Sequence, residues 1–163
     1  MTEEKKDFFV SDISLSYQYT AGNATTRFLN KVAEGKLVAQ KCPKCSAVYV
    51  PPRGSCPRCG IATEEELELP DTGAVESFTI VHIPIPGNPI VPPYVSAMIR
   101  LDGADISFLH LIQEIDLAEI RIGMRVQAVW KDKSEWGTTL ENIKWFKPTG
   151  EDDVDPLVFK FKE

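Results

Sequence analysis

Histidine is scarce, with 2 in 163 residues, so imidazole-based acid–base catalysis has few candidates here. The chain also has no Gly-x-Ser-x-Gly elbow and no Gly-rich loop of the kind that cradles phosphate. No apolar run approaches the roughly 20 residues that a membrane helix needs, so no membrane partner is expected. The opening Met1-Thr2-Glu3-Glu4-Lys5-Lys6-Asp7 is charged and lacks an apolar stretch followed by a cleavage site. That predicts no secretory signal and a cytoplasmic location. Basic charge is short as well: 18 Lys and Arg face 24 Asp and Glu, a net charge of -6. A binder driven by phosphate neutralisation needs the opposite balance. The 43% hydrophobic content excludes wholesale disorder, and the 18.2 kDa mass suits one core, or one core with a small satellite.

Cysteine is confined to one place. All 4 lie between positions 42 and 59, as Cys42-Pro43-Lys44-Cys45, ten intervening residues, then Cys56-Pro57-Arg58-Cys59. Two Cys-x-x-Cys knuckles at this spacing suit one tetrahedral zinc ion, because each short turn presents two thiolates to the same centre. Iron in a rubredoxin-like tetrathiolate site is the remaining alternative. Disulfides conflict with the absence of a secretory signal, and a redox dithiol requires one such motif in a βαβ setting. Four cysteine ligands close the coordination sphere, so the expected zinc is structural and not catalytic. Residues 35–60 carry Lys36, Lys41, Lys44, Arg53 and Arg58 and no acid, whereas Glu64, Glu65, Glu66, Glu68, Asp71 and Glu76 follow at once. A basic module thus sits inside an acidic chain.

Around the knuckles the pattern predicts a helix over 23–34, with Phe28, Leu29 and Val32 on one face, Asn23 or Thr25 as N-cap and Gly35 as the stop. Residues 11–22, with Tyr17 and Tyr19, read as a docking loop or a short helix. Short strands at Leu37–Lys41 and Ala47–Val50 would flank the first knuckle. From Ala74 to Ile83 the period becomes two, and Tyr94–Leu101 and Asp105–Ile112 follow around an Asp102-Gly103 turn. Gln113–Ile122 is compatible with a short helix, and Arg125–Lys131 and Thr138–Phe146 complete five strands. His82 and His110 fall in these strands, as satisfied barrel residues. The expected fold is mainly β: an N-terminal helical segment (1–36), a rubredoxin-like zinc ribbon (37–70) and a five-stranded OB-type barrel (71–147), then an acidic-apolar tail (148–163). The loop Pro84–Pro93 holds 5 of the 12 prolines and joins the first two barrel strands, as a stiff linker or a binding loop. The tail ends in Leu157, Val158, Phe159 and Phe161, to dock on a partner or fold back on the barrel.

With ribbon and barrel in place, the chain resembles the zinc-ribbon/OB-fold, acyl-CoA-associated proteins that accompany thiolase-superfamily enzymes. The residues that carry this are Arg27-Phe28, Glu34-Gly35-Lys36-Leu37, Lys41-Cys42-Pro43-Lys44-Cys45, Val50-Pro51-Pro52-Arg53 and Cys56-Pro57-Arg58-Cys59-Gly60. They continue through Gly73–Thr79, Pro92-Pro93-Tyr94-Val95, Leu101-Asp102-Gly103 and Ile122–Val126, so the likeness spans about residues 15–147. Ser46 departs from it, where such a knuckle usually carries Gly, and the tail has no counterpart. The resemblance implies a subunit without chemistry of its own. It would assemble with a thiolase-superfamily subunit, often as a two-plus-two heterotetramer, for thiolytic, condensing or retro-aldol reactions of coenzyme A thioesters. Benzoylsuccinyl-CoA thiolase and sterol side-chain aldolases are of this kind, and the partner would hold most of the coenzyme A ester.

Under that resemblance Lys41, Lys44, Arg53 and Arg58 either meet coenzyme A phosphates or only balance the thiolates, and Pro92, Pro93 and Tyr94 face partner or substrate. The alternative function is a single-stranded nucleic-acid-binding OB protein, with Trp130, Trp136 and Trp145 as stacking platforms. Residues 71–147 carry ten acids against seven bases, and alternation can place Trp130 and Trp145 in the core, which weakens that alternative. An independent enzyme is weaker still, since no nucleophile–base pair stands out.

Overall fold

Phe28 and Val32, four residues apart, stack on one face of a helix and are both fully buried. That helix, α1 (Gly22–Ala33), lies in a computed structural model that describes residues 11, 13–84 and 86–160. The charged start Met1–Asp7, Ile85 of the proline-rich loop and Phe161 of the tail fall outside the described residues. The helix begins earlier than its capping pattern suggested: Ala21 is the N-cap, without a side-chain bond, and Asn23 and Thr25 lie inside the first turns. Its end is as expected. Gly35 takes φ +80°, its N–H donates to the Val32 carbonyl, and the Lys36 N–H reaches the Lys31 carbonyl.

A three-stranded antiparallel sheet follows, in the order β2-β1-β3, from β1 (Leu37–Lys41), β2 (Val48–Tyr49) and β3 (Glu65–Leu69). The third strand was hidden in the acidic run. Its five residues pair in full with β1, Leu37 opposite Leu69 and Lys41 opposite Glu65. Leu67 and Leu69 pack on the core while Glu65, Glu66 and Glu68 stay exposed.

The second half closes into a barrel, β4-β5-β6-β8-β7, from β4 (Thr72–Val81), β5 (Tyr94–Leu101), β6 (Phe108–Ile112), β7 (Arg125–Trp130) and β8 (Ile143–Pro148). Four of the five contacts are antiparallel. The fifth, β6 with β8, is a single parallel pairing of Ile112 with Phe146. This is the five-stranded OB-type barrel. Val75, Val95, Ala97, Ile99, Leu101, Val126 and Phe146 fill its interior with at most 1% exposure. Glu76 sits at a bulge in β4, between the Val75 and Ser77 pairings, and its carboxylate takes two bonds from the Arg100 guanidinium.

Three expectations fail in the barrel. Residues 113–122 form turns instead of a helix: Glu114 adopts φ +58°, and the Asp116 carboxylate accepts from the Ala118 N–H. A strand from Thr138 is replaced by a 3-10 turn, Leu140–Asn142, so β8 starts only at Ile143. His82 lies just past the end of β4 and is exposed, whereas His110 does lie in β6, half-buried.

Helix, ribbon and barrel are tied by one buried and one half-buried polar side chain. Asn142, fully buried, donates to the carbonyls of Val32 in α1 and Gly137, and accepts from the Gly137 N–H. Asp105 accepts from the Val48 N–H while its own N–H reaches the Val48 carbonyl. Of the two fates open to the tail, the described part folds back on the barrel. Val154 N–H donates to the Gly123 carbonyl, Asp153 pairs with Arg121, and Glu151 with Arg125. The carbonyls of Val158 and Phe159 accept from Arg100, whose guanidinium lies 5.2 Å from the Phe159 ring centre.

Candidate metal centre

Each Cys-x-x-Cys turn is built by the same backbone bonds. In the first, the Cys42 N–H donates to the Ala47 carbonyl and the Ser46 N–H to the Cys42 carbonyl; in the second, Cys56 pairs with Ile61 and Gly60 with Cys56. The pattern demands a left-handed residue at the fourth step, which Gly60 supplies at φ +67°. Ser46 supplies it at φ +60°, so the departure from glycine changes the residue and leaves the backbone path intact.

The two turns bring Cys42, Cys45, Cys56 and Cys59 together with all four Sγ atoms within 4.8 Å of one another. Cys42 and Cys56 are buried, Cys45 is exposed and Cys59 half-buried. The amides of Lys44 and Cys45 point at Cys42 Sγ at 3.4 and 3.5 Å, and hydrogen bonding from the Cys45 amide holds the Cys42 thiol below its ordinary pKa. Tyr49, 1% exposed, places its hydroxyl 3.2 Å from Cys56 Sγ. A thiolate only accepts, so the hydroxyl donates, and this bond lowers the Cys56 thiol to about 6. The same contact, after burial, raises the Tyr49 phenol above its ordinary value. Cys59 goes the other way, pushed up to about 12 chiefly by burial. Four convergent soft donors, with amide and phenol donors aimed at their sulfurs, fit a tetrahedral thiophilic cation.

Gln40 stands behind the second knuckle, fully buried in β1. Its Oε1 accepts from the Gly54 N–H and the Thr63 hydroxyl, both at 3.1 Å. Neither Tyr49 nor Gln40 was singled out from the sequence. Tyr49 lies four residues past Cys45 in a short apolar strand, where an aromatic residue reads as ordinary core.

The cationic residues part company. Arg53 and Arg58 line one cleft of about 250 Å³ with Tyr49, Pro57, Glu76 and Arg100, and the Arg53 guanidinium lies 5.9 Å from the Tyr49 ring centre. Lys44 is exposed on the first knuckle, and Lys41, half-buried, ends β1; neither lines that cleft. Pro93 and Tyr94 border a different cleft of about 530 Å³, with Ile90, Glu114 and Leu117, while Pro92 is half-buried beside it. Tyr94 and Arg100 stand at opposite ends of β5, about 20 Å apart at 3.4 Å per residue. The fold therefore does not bring the proline-rich loop to the arginine cleft.

A four-cysteine ribbon fused to a closed five-stranded barrel defines a zinc-ribbon/OB-fold protein. Residues 30–65 match the family model of the ChsH2 rubredoxin-like zinc ribbon domain, and residues 66–131 that of the ChsH2 C-terminal OB-fold domain. A DUF35 domain-containing scaffold protein of Methanocaldococcus jannaschii is 33% identical over 128 residues, 77% of this chain and 80% of that protein. The chain belongs to this DUF35, or ChsH2, family. A probable enoyl-CoA hydratase alpha subunit of Thermomonospora curvata is 34% identical over 95 residues, 58% of this chain and 29% of that longer protein. Among solved structures, a chain of an Ltp2-ChsH2(DUF35) aldolase superposes with a TM-score of 0.60 at 27% identity, covering 80% of this chain and 98% of that one. A DUF35-family protein from Sulfolobus solfataricus gives 0.56, also at 27% identity, over 66% and 78%.

Proposed function

We propose that this chain is the non-catalytic, zinc-holding subunit of a complex with a thiolase-superfamily enzyme that forms or cleaves carbon–carbon bonds in coenzyme A thioesters. One observation carries the reading: all 4 cysteines of the chain are drawn into one cluster, which leaves no thiol to serve as the acyl-accepting nucleophile. The likeness to a chain of an aldolase assembly supports it. Zinc would be held by Cys42, Cys45, Cys56 and Cys59, and it supplies folding energy to a ribbon with little core of its own. The partner would bring the catalytic groups and most of the coenzyme A site. Arg53 and Arg58, which share one cleft at the ribbon, are the residues of this chain proposed to meet the coenzyme A phosphates, with Lys44 and Lys41 further out. A two-plus-two assembly in the cytoplasm completes the reading.

Native mass spectrometry of the tagged chain purified from its own host tests it. The expected species contains two copies of this chain, two subunits of thiolase size and zinc. A lone zinc-bound chain, or one carrying nucleic acid, overturns the proposal.

A further inference from the structure

The segment from Ile13 to Thr20 has an alternation that nothing among the described residues absorbs. Ile13, Leu15, Tyr17 and Tyr19 recur every second residue, interleaved with Ser14, Ser16, Gln18 and Thr20. At period two the large side chains share one face only in an extended strand; on a helix successive members would point to nearly opposite sides. The segment is neither helix nor strand, and among the described residues it makes no backbone hydrogen bond. Its four apolar side chains are 76–83% exposed, with the Tyr17 and Tyr19 ring centres 6.1 Å apart on one side. From Ile13 to Thr26 there is no charged residue, in a chain that is 26% charged. Tyrosine enrichment and charge depletion mark the centres of protein interfaces.

The rest of the chain offers this segment little. The barrel is closed, β2 is only two residues long, and the β3 edge presents Glu64, Glu65, Glu66 and Glu68. The segment instead leads into α1 beside the ribbon: Ala24 Cβ is 3.4 Å from the position a Cβ on Gly54 would take, next to Arg53. A partner over the Arg53–Arg58 cleft borders the segment's point of departure.

We infer that residues 13–20 are a docking strand. They add to an exposed sheet edge of the thiolase-superfamily partner and lay Ile13, Leu15, Tyr17 and Tyr19 on its apolar surface. This rests on the function proposed above. Unpaired backbone donors and acceptors supply the pairing, and the one-sided row of side chains fixes the register.

The test compares the full-length chain with Leu15→Glu/Tyr17→Glu and with Ser14→Glu/Ser16→Glu, each titrated against the thiolase-superfamily subunit co-purified with the wild type. Because the segment lies outside the helix, ribbon and barrel, both variants should keep the wild-type circular dichroism and metal content. The apolar-face variant is expected to bind about 100-fold more weakly, as for loss of two interface anchors, and the polar-face variant within about threefold. Amide exchange of residues 13–20 should be fast in the isolated chain and at least about tenfold slower in the complex. Equal capture by both variants, with the segment still exchanging freely, overturns the docking strand and leaves the proposed function standing. Protection of the segment in a dimer of the isolated chain overturns it too, in favour of a second copy. If the wild type captures no such subunit, the proposed function fails and the docking strand with it.

Discussion

The Tyr49 hydroxyl stands 3.2 Å from Cys56 Sγ, inside the protein and on the strand that leads out of the first knuckle. One phenol thus ties the fold of the first Cys-x-x-Cys turn to a cysteine of the second. It also donates a hydrogen bond to one of the four sulfurs that would share the negative charge of a tetrathiolate site.

Tyr49→Phe keeps the ring and removes only that donor. Outer-shell donors of this kind typically change metal affinity about 10- to 100-fold. The variant is expected to lose zinc to a competing chromophoric chelator at a correspondingly lower chelator concentration, with its circular dichroism unchanged. Equal zinc affinity would show that the phenol plays no part at the centre.

The two left-handed knuckle residues give a paired prediction. Ser46 occupies φ +60°, a region that costs a non-glycine residue roughly 1 kcal/mol or more. Ser46→Gly should therefore leave the zinc-loaded chain about as stable or slightly more so, by up to about 1 kcal/mol. Gly60→Ala, at φ +67°, should destabilise it by about 1 kcal/mol. Thermal unfolding of the zinc-loaded variants checks both signs.

Asn142, at full burial, makes one hydrogen bond to the Val32 carbonyl of α1 and two to Gly137. Asn142→Ala leaves the Gly137 amide without its partner and opens a small cavity, for an expected loss of about 3 kcal/mol. Urea unfolding gives the value directly, and a loss under about 1 kcal/mol would mean that the helix is held by its other contacts, Phe28, Leu29 and Val32 among them.

His110 makes stability depend on pH. Burial holds its pKa below the ordinary 6.5, and its Nδ1 accepts a hydrogen bond from the Leu111 N–H that only the neutral form can take. Above pH 6.5 the ring is neutral in both folded and unfolded chains, and its contribution is fully present. As pH falls below 6.5 the unfolded chain takes up the proton first, so stability declines until the folded-state pKa is passed. His110→Gln should flatten that part of the stability curve measured between pH 7 and pH 5. An unchanged slope would assign it to other groups.

The cysteine knuckles, the helix face and most barrel strands were legible because each follows from a local rule. Spacing fixes the knuckles, Phe28 and Val32 fix the helix face, and alternation gives β5 its limits at Tyr94 and Leu101. What was missed depends on pairing across the fold. The strand Glu65–Leu69 offers only Leu67 and Leu69 as apolar signal, and it exists because β1 presents an open edge. The start of β8 was misplaced because Thr139 caps a 3-10 turn through the Glu141 N–H, a side-chain bond that competes with extended backbone. At the centre, the four-cysteine cluster followed from spacing, whereas Tyr49 and Gln40 make contacts that appear only once β1 and β2 are folded against the second knuckle.

The most direct test of the account is reconstitution. The chain, its co-purified thiolase-superfamily subunit and the mixture are each given a panel of 3-keto- and 3-hydroxyacyl-CoA thioesters, with free coenzyme A for the 3-keto set. Mass spectrometry then reads the shortened acyl-CoA products. The expected result is no turnover by the chain alone and full activity only in the mixture. Turnover by the pure chain, or a partner equally active without it, would contradict the reading of this protein as a non-catalytic, required subunit.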